Sequence, residues 1–139
     1  MTTFVDTSAL YAALDRDDAA HPSVAPILRE LLAREWLVTS SYVVVETAAL
    51  VQSRLGIVAA RHLHERLLPA VDVIWVEEDV HRAAVAALLA AGRREVSLVD
   101  QVSFELMRRR SIPCALAVDA HFAEAGFEVL PAAGPPHGR

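Results

Sequence analysis

Met1-Thr2-Thr3-Phe4-Val5-Asp6-Thr7-Ser8-Ala9-Leu10 sets one carboxylate between two apolar runs. The β-branched and aromatic residues before Asp6 favour a strand, read over Thr3–Asp6. Ser8–Asp15 reads as a helix that follows directly. The same alternation continues outward along the chain. His21-Pro22 opens a second helix, with Pro22 suited to a first turn. That helix runs to about Glu35, and Val24, Ile27, Leu28, Leu31 and Leu32 share one face. Trp36–Thr39 is a short strand. Tyr42–Ser53 carries both signals: Val43-Val44-Val45 favours a strand, while its length and Ala48-Ala49-Leu50-Val51 decide for a helix, capped by Ser40 or Ser41 and ended by Gly56. Helices over Val58–Leu68, Asp79–Ala91, Leu98–Arg110 and His121–Ala125 alternate with strands over Asp72–Val76, Cys114–Val118 and Phe127–Leu130. Such alternation predicts an α/β fold with a mainly parallel sheet, whose ligands bind beyond the carboxyl ends of the strands.

The chain has 139 residues, of which 54% are hydrophobic and 22% charged. These values describe a single compact domain with a sizeable core. The body is expected over residues 1–130. An irregular tail, Pro131-Ala-Ala-Gly-Pro-Pro-His-Gly-Arg139, follows it. No apolar run approaches the roughly 20 residues of a membrane helix. No signal peptide is evident, and the single cysteine, Cys114, excludes an internal disulfide. A cytoplasmic protein with a buried thiol is the expectation. The net charge of −5 removes the basic footprint of non-specific nucleic-acid binders. All 13 basic residues are arginine.

Four acids sit at or within apolar runs: Asp6, Glu46, Asp100 and Asp119. An ionised carboxylate in such surroundings is costly to desolvate unless paired or bound to metal. Helix capping explains three of them taken singly. Asp6 and Asp119 precede helices, and Ser97-Leu98-Val99-Asp100 has the capping-box pattern. Glu46, five or six residues past its cap and flanked by valine and alanine, is poorly explained in this way. The fold places helix starts on one edge of the sheet, so the four acids are expected to converge. Converging carboxylates raise one another's pKa, and a dication removes the conflict. Oxygen ligation favours Mg²⁺ or Mn²⁺, which polarises a phosphoryl oxygen and lowers the pKa of a bound water for in-line attack.

The order Phe4-Val5-Asp6-Thr7-Ser8-Ala9-Leu10, Glu46 buried in its helix, Ser97-Leu98-Val99-Asp100-Gln101-Val102-Ser103-Phe104 and Val118-Asp119-Ala120-His121-Phe122-Ala123-Glu124-Ala125-Gly126-Phe127 resembles PIN-domain proteins. Within them it resembles the toxin subunits of VapBC toxin–antitoxin pairs. The resemblance spans about residues 2–130. It implies a three-layer α/β/α PIN fold with about five strands and a Mg²⁺- or Mn²⁺-dependent endoribonuclease that leaves a 5′-phosphate and a 3′-hydroxyl. It further implies an RNA substrate, a small cognate antitoxin and a homodimer. It assigns Asp6, Glu46, Asp100 and Asp119 to the metal site. Ser8 matches a hydroxyl near the site or a helix cap. His121 stands two residues after Asp119, as an accessory group or a plain helix residue. The family often carries threonine where this chain has Val99 and Ala117, and losing those hydroxyls is expected to loosen the metal geometry while leaving the acids intact.

Other features fit simpler roles. His62 and His64 point apart on a helix, which argues against a metal pair. Arg93-Arg94 and Arg108-Arg109-Arg110 read first as solvated helix ends and second as RNA phosphate contacts. The stripe Val80, Ala84, Val85, Leu88 and Leu89 reads as core rather than interface. Two rivals remain. One is a PIN-like RNA-binding or regulatory module without turnover, separated from the enzyme by metal-dependent RNA cleavage. The other is a phospho-receiver or phosphatase using Asp6. It is disfavoured because the chain has no lysine and has Ser8 where an aspartate-nucleophile phosphatase has a second acid.

Overall fold

The computed structural model describes residues 1–132, so the expected tail lies outside the described residues from position 133 onward. Five parallel strands form one sheet: β1 (Thr2–Val5), β2 (Trp36–Ser40), β3 (Asp72–Ile74), β4 (Cys114–Leu116) and β5 (Glu128–Leu130). Their spatial order is β3-β2-β1-β4-β5. β1 is central, and Thr3, Phe4 and Val5 are all buried, as expected for a parallel strand covered on both faces. Strand order reverses at β1. The crevice between the carboxyl ends of β1 and β4 is therefore the topological switch point where such sheets bind ligands.

The helices are α1 (Thr7–Leu14), α2 (His21–Arg34), α3 (Ser41–Leu55), α4 (Ile57–His62), α5 (Glu78–Ala91), α6 (Leu98–Arg109) and α7 (His121–Glu124). The fold is the expected α/β/α arrangement. One core joins the sheet to α1, α2, α3 and α7, and a smaller one is built on Val80, Ala84, Val102 and Leu106 between α5 and α6. Phe122, fully buried, packs edge-on against Phe104 at 5.0 Å and tilted against Phe4 at 6.3 Å, fixing α7 beneath the end of β4. Of the α5 stripe, Val80 and Ala84 belong to the core, whereas Leu89 is exposed.

The ambiguous valine run is helical. Ser40 Oγ accepts from the Val43 amide at 3.1 Å, and Val45 faces solvent while Val43 is buried, a spacing that suits one helix face. Gly56, at φ +93°, ends α3 in a conformation that side chains disfavour.

Three expected elements are shorter than the sequence implies. The helix expected over Val58–Leu68 closes as α4 at His62. It then widens into a turn in which the Leu68 amide donates to the Leu63 carbonyl, five residues back. The extra residue brings Leu63, Leu67 and Leu68 inward together before Pro69 ends the helical run. His62 and His64 are exposed on either side of buried Leu63. β3 stops at Ile74, where the Val76 amide turns to Ser41 Oγ at 3.0 Å. β4 stops at Leu116, the last residue paired to β1 and β5, so Val118 emerges half-exposed. Among the described residues no helix is long and apolar enough to cross a membrane. Cys114 is a buried free thiol whose pKa is raised by burial.

Candidate active site

Asp6, Glu46, Asp100 and Asp119 line one cavity of about 350 Å³ beyond the carboxyl ends of β1 and β4. Each acid reaches it from a different element. Asp6 lies in the bend between β1 and α1. It caps the helix by accepting from the Ser8 amide at 3.2 Å and from Ser8 Oγ at 2.6 Å. Asp100 completes the capping box: its Oδ2 accepts from the Ser97 amide, and its own amide donates to Ser97 Oγ, both at 3.1 Å. Asp119 follows β4 and accepts from the His121 amide at 3.0 Å. The capping readings of Asp6 and Asp100 are therefore realised. Asp119 lies one residue before the α7 cap, Ala120, and is held instead by the His121 amide, and these bonds keep the three carboxylates at the mouth of the switch point.

Glu46 differs in two ways. It makes no cap, and it is partly exposed rather than buried as its apolar neighbours suggested. Its place is set by the next residue. Thr47, fully buried, donates through Oγ1 to Thr7 Oγ1 at 3.2 Å, tying α3 to the start of α1. Nothing in the local sequence announced this contact, because its partners are 40 residues apart.

The tightest grouping is Asp100, Asp119 and His121, whose potential ligand atoms all lie within 4.8 Å of one another. His121 Nδ1 stands 3.2 Å from Asp100 Oδ2 and 3.6 Å from Asp119 Oδ1. This nitrogen is buried and has no hydrogen-bond partner of acceptable geometry among the described residues. An orphaned ring nitrogen beside two carboxylates fits a divalent cation, with carboxylate oxygens as the principal donors and imidazole as a further one. The sequence marked His121 only as an accessory group; the fold places it inside the acid cluster.

Electrostatics carry the same signature. Burial pushes the Asp6 carboxyl up to about 6, opposed by the Ser8 hydroxyl and reinforced by Asp119 and Asp100. Burial also raises Asp100, with Asp119 adding to the rise and the Ser97 amide and His121 opposing it. Ser8 has a second tie, accepting from the Val118 amide at 2.9 Å, so one hydroxyl joins Asp6 to the segment leading to Asp119. Ser8→Ala should lower stability by about 1–2 kcal/mol in urea unfolding, because an acceptor on Asp6 and an amide on Val118 lose their partner. A change below a few tenths of that would remove Ser8 from the site's framework.

Tyr11, Leu50 and Arg54 also line the cavity, and sequence reasoning missed all three. Arg54 lies two helical turns beyond Glu46, and the i, i+4, i+8 spacing of Glu46, Leu50 and Arg54 was the available signal. Of the arginine clusters singled out in the sequence, three members are engaged by other side chains. Arg93 pairs with Glu95 and Glu124, Arg109 with Asp79 and Glu105, and Arg108 lies over Phe104 and Phe127.

Residues 3–128 match the family model described as the PIN domain. The chain is 37% identical over 134 residues to the 23S rRNA-specific endonuclease VapC20 of Mycobacterium tuberculosis, covering 92% of this chain and 98% of that protein. A crystal structure of VapC20, described as a sarcin–ricin loop cleaving toxin, superimposes with a TM-score of 0.79 at 35% identity, over 91% of this chain and 96% of the other. The fold is also shared with VapBC2 from Rickettsia felis, at a TM-score of 0.69 and 13% identity, over 93% and 97% of the two chains.

Proposed function

Because this chain belongs to the PIN-domain family, we propose that it is an endoribonuclease toxin that hydrolyses RNA phosphodiester bonds with the help of Mg²⁺ or Mn²⁺. The observation that carries this reading is the convergence of Asp6, Glu46, Asp100 and Asp119 on one cavity, with the unpartnered His121 Nδ1 among them. Asp100 and Asp119 would hold the cation, with Asp6 and Glu46 completing the acidic set and His121 beside them. A cation bound there supplies charge neutralisation at the scissile phosphate and a water of lowered pKa.

The residues of the chain do the rest. The helix-start hydrogen bonds on Asp6, Asp100 and Asp119 fix their carboxylates before substrate arrives, so little reorganisation accompanies binding. Ser8 holds the Asp6 oxygen and the Val118 amide in one geometry. Val99 and Ala117, where the family often has threonine, leave this positioning to the helix-start hydrogen bonds and to Ser8. No side chain need act as a nucleophile. In this reading the partners are a small antitoxin protein and a second copy of the chain, and the site of action is the cytoplasm. Exposed apolar residues on α3 and α4, Val45, Ile57 and Val58, support a protein–protein surface.

The sarcin–ricin loop of 23S rRNA is the first substrate to test, because the 35%-identical toxin is described as cleaving it. Cleavage should appear with Mn²⁺ and vanish with EDTA. Glu46→Gln should lower the rate by roughly 100-fold, about 3 kcal/mol of transition-state stabilisation. Its melting temperature should stay within about a degree of wild type, since Glu46 makes no side-chain hydrogen bond among the described residues. Cleavage that persists in EDTA, or survives Glu46→Gln unchanged, would refute the metal reading.

A further inference from the structure

Six carboxylates and one arginine line the acid cavity among the described residues. An RNA strand brings further negative charge into that field, and a cation bound by the acids serves the scissile phosphate alone. The neighbouring phosphates need their own donor. We infer that Arg54 is that donor: it binds an RNA phosphate adjacent to the scissile one and sets the position of the strand in the cavity. The inference rests on the endoribonuclease reading and adds a substrate-binding residue to it.

Three observations converge on Arg54. Its guanidinium lies over the Tyr11 ring, 5.4 Å from the centroid. Tyr11 is buried, and its hydroxyl donates to Asp15 Oδ2 at 2.8 Å, so the ring is a fixed platform. The other Asp15 oxygen accepts the Asp17 amide at 3.0 Å. Arg54 itself forms no salt bridge among the described residues, unlike Arg34, Arg61, Arg82, Arg93 and Arg109. It is thus a cation held over Tyr11 with no carboxylate partner among the described residues, and its fork matches a phosphate. The stack on Tyr11 reduces the ordering cost of binding.

Position selects the neighbouring phosphate over the scissile one. Arg54 is eight residues beyond Glu46 on the same face of α3, a separation of about 12 Å along the axis. A contact at that remove is equally present in ground and transition states. Its loss should therefore raise KM and leave kcat nearly unchanged.

The test compares wild type, Arg54→Ala and Arg54→Lys on a sarcin–ricin-loop RNA oligonucleotide. Cleavage is followed in Mn²⁺ across about 50–200 mM KCl, and binding of the labelled oligonucleotide is followed by anisotropy in Ca²⁺. Arg54→Ala should raise KM about 10- to 100-fold with kcat within about threefold. It should also flatten the dependence of log affinity on log salt by about 0.7–0.9, the loss of one phosphate contact. Arg54→Lys should keep the salt slope with an intermediate KM. Wild-type KM and slope in Arg54→Ala, with wild type cleaving, would overturn the inference and leave the endoribonuclease reading standing. A lower melting temperature and kcat with an unchanged slope would make Arg54 a structural cover for Tyr11. So would a change confined to inhibition by a co-expressed antitoxin make it a partner contact instead. If wild type fails to cleave the oligonucleotide with any divalent cation supplied, the endoribonuclease reading fails, and the anisotropy slope still decides whether Arg54 binds phosphate.

Discussion

Asp100→Asn is expected to lower metal-dependent RNA cleavage by roughly 1,000-fold, about 4 kcal/mol of transition-state stabilisation. Its stability should remain within about 1 kcal/mol of wild type. The two expectations have separate causes. The amide oxygen of asparagine can still accept from the Ser97 amide, and the backbone amide of residue 100 still donates to Ser97 Oγ, so the capping box survives. What is lost is one unit of negative charge in the closest group of potential ligands, with Asp119 and His121. Asp100→Ala would remove cap and charge together and separate nothing. Initial rates in Mn²⁺, paired with a urea titration, make the check. A variant cleaving within tenfold of wild type would show that Asp100 serves the helix alone.

That separation reflects how the chain encodes the site. Three of the four acids sit at helix starts because short polar side chains satisfy free amides there, so their positions follow from local rules. The strand–acid–helix alternation fixes their common edge, and the α/β order of elements was legible from Phe4-Val5-Asp6-Thr7-Ser8 outward. Glu46 obeys no local rule, and its partly exposed position depends on Thr47 meeting Thr7 across 40 residues. His121 illustrates the same limit: its spacing from Asp119 was visible, but its approach to Asp100 depends on Phe122 anchoring α7 against Phe104 of α6. Arg54 was hidden because an arginine late in a helix reads equally well as a solvated terminus. Its stack on Tyr11 arises only when α1 and α3 pack. Element ends were missed where side chains, not propensity, decide, as when Ser41 Oγ takes the Val76 amide and ends β3.

Stripped of metal, the protein should lose stability as pH rises from about 4 to 7, the reverse of the usual behaviour of a paired carboxylate. The sign follows from Asp6. Its carboxyl is raised from 3.8 to about 6 in the folded protein, so in this interval the folded state holds a proton that the unfolded chain has released. Stability then falls with pH, by about 3 kcal/mol once both states are ionised. Asp100 is raised too and contributes with the same sign. For a chain of this size the loss corresponds to a melting temperature lower by on the order of 10 °C. A divalent cation binds the ionised folded state, so its stabilisation should be greatest at pH 7, reaching about 2.7 kcal/mol at 100 times its Kd. Asp6→Asn keeps an acceptor for Ser8 and stays neutral at every pH. In EDTA at pH 7 it should therefore melt above wild type, and Mn²⁺ should raise its melting temperature far less. A flat wild-type profile in EDTA, or an Asp6→Asn variant that melts lower at pH 7, would mean that the buried carboxylate is stabilised by the protein alone and does not await a cation.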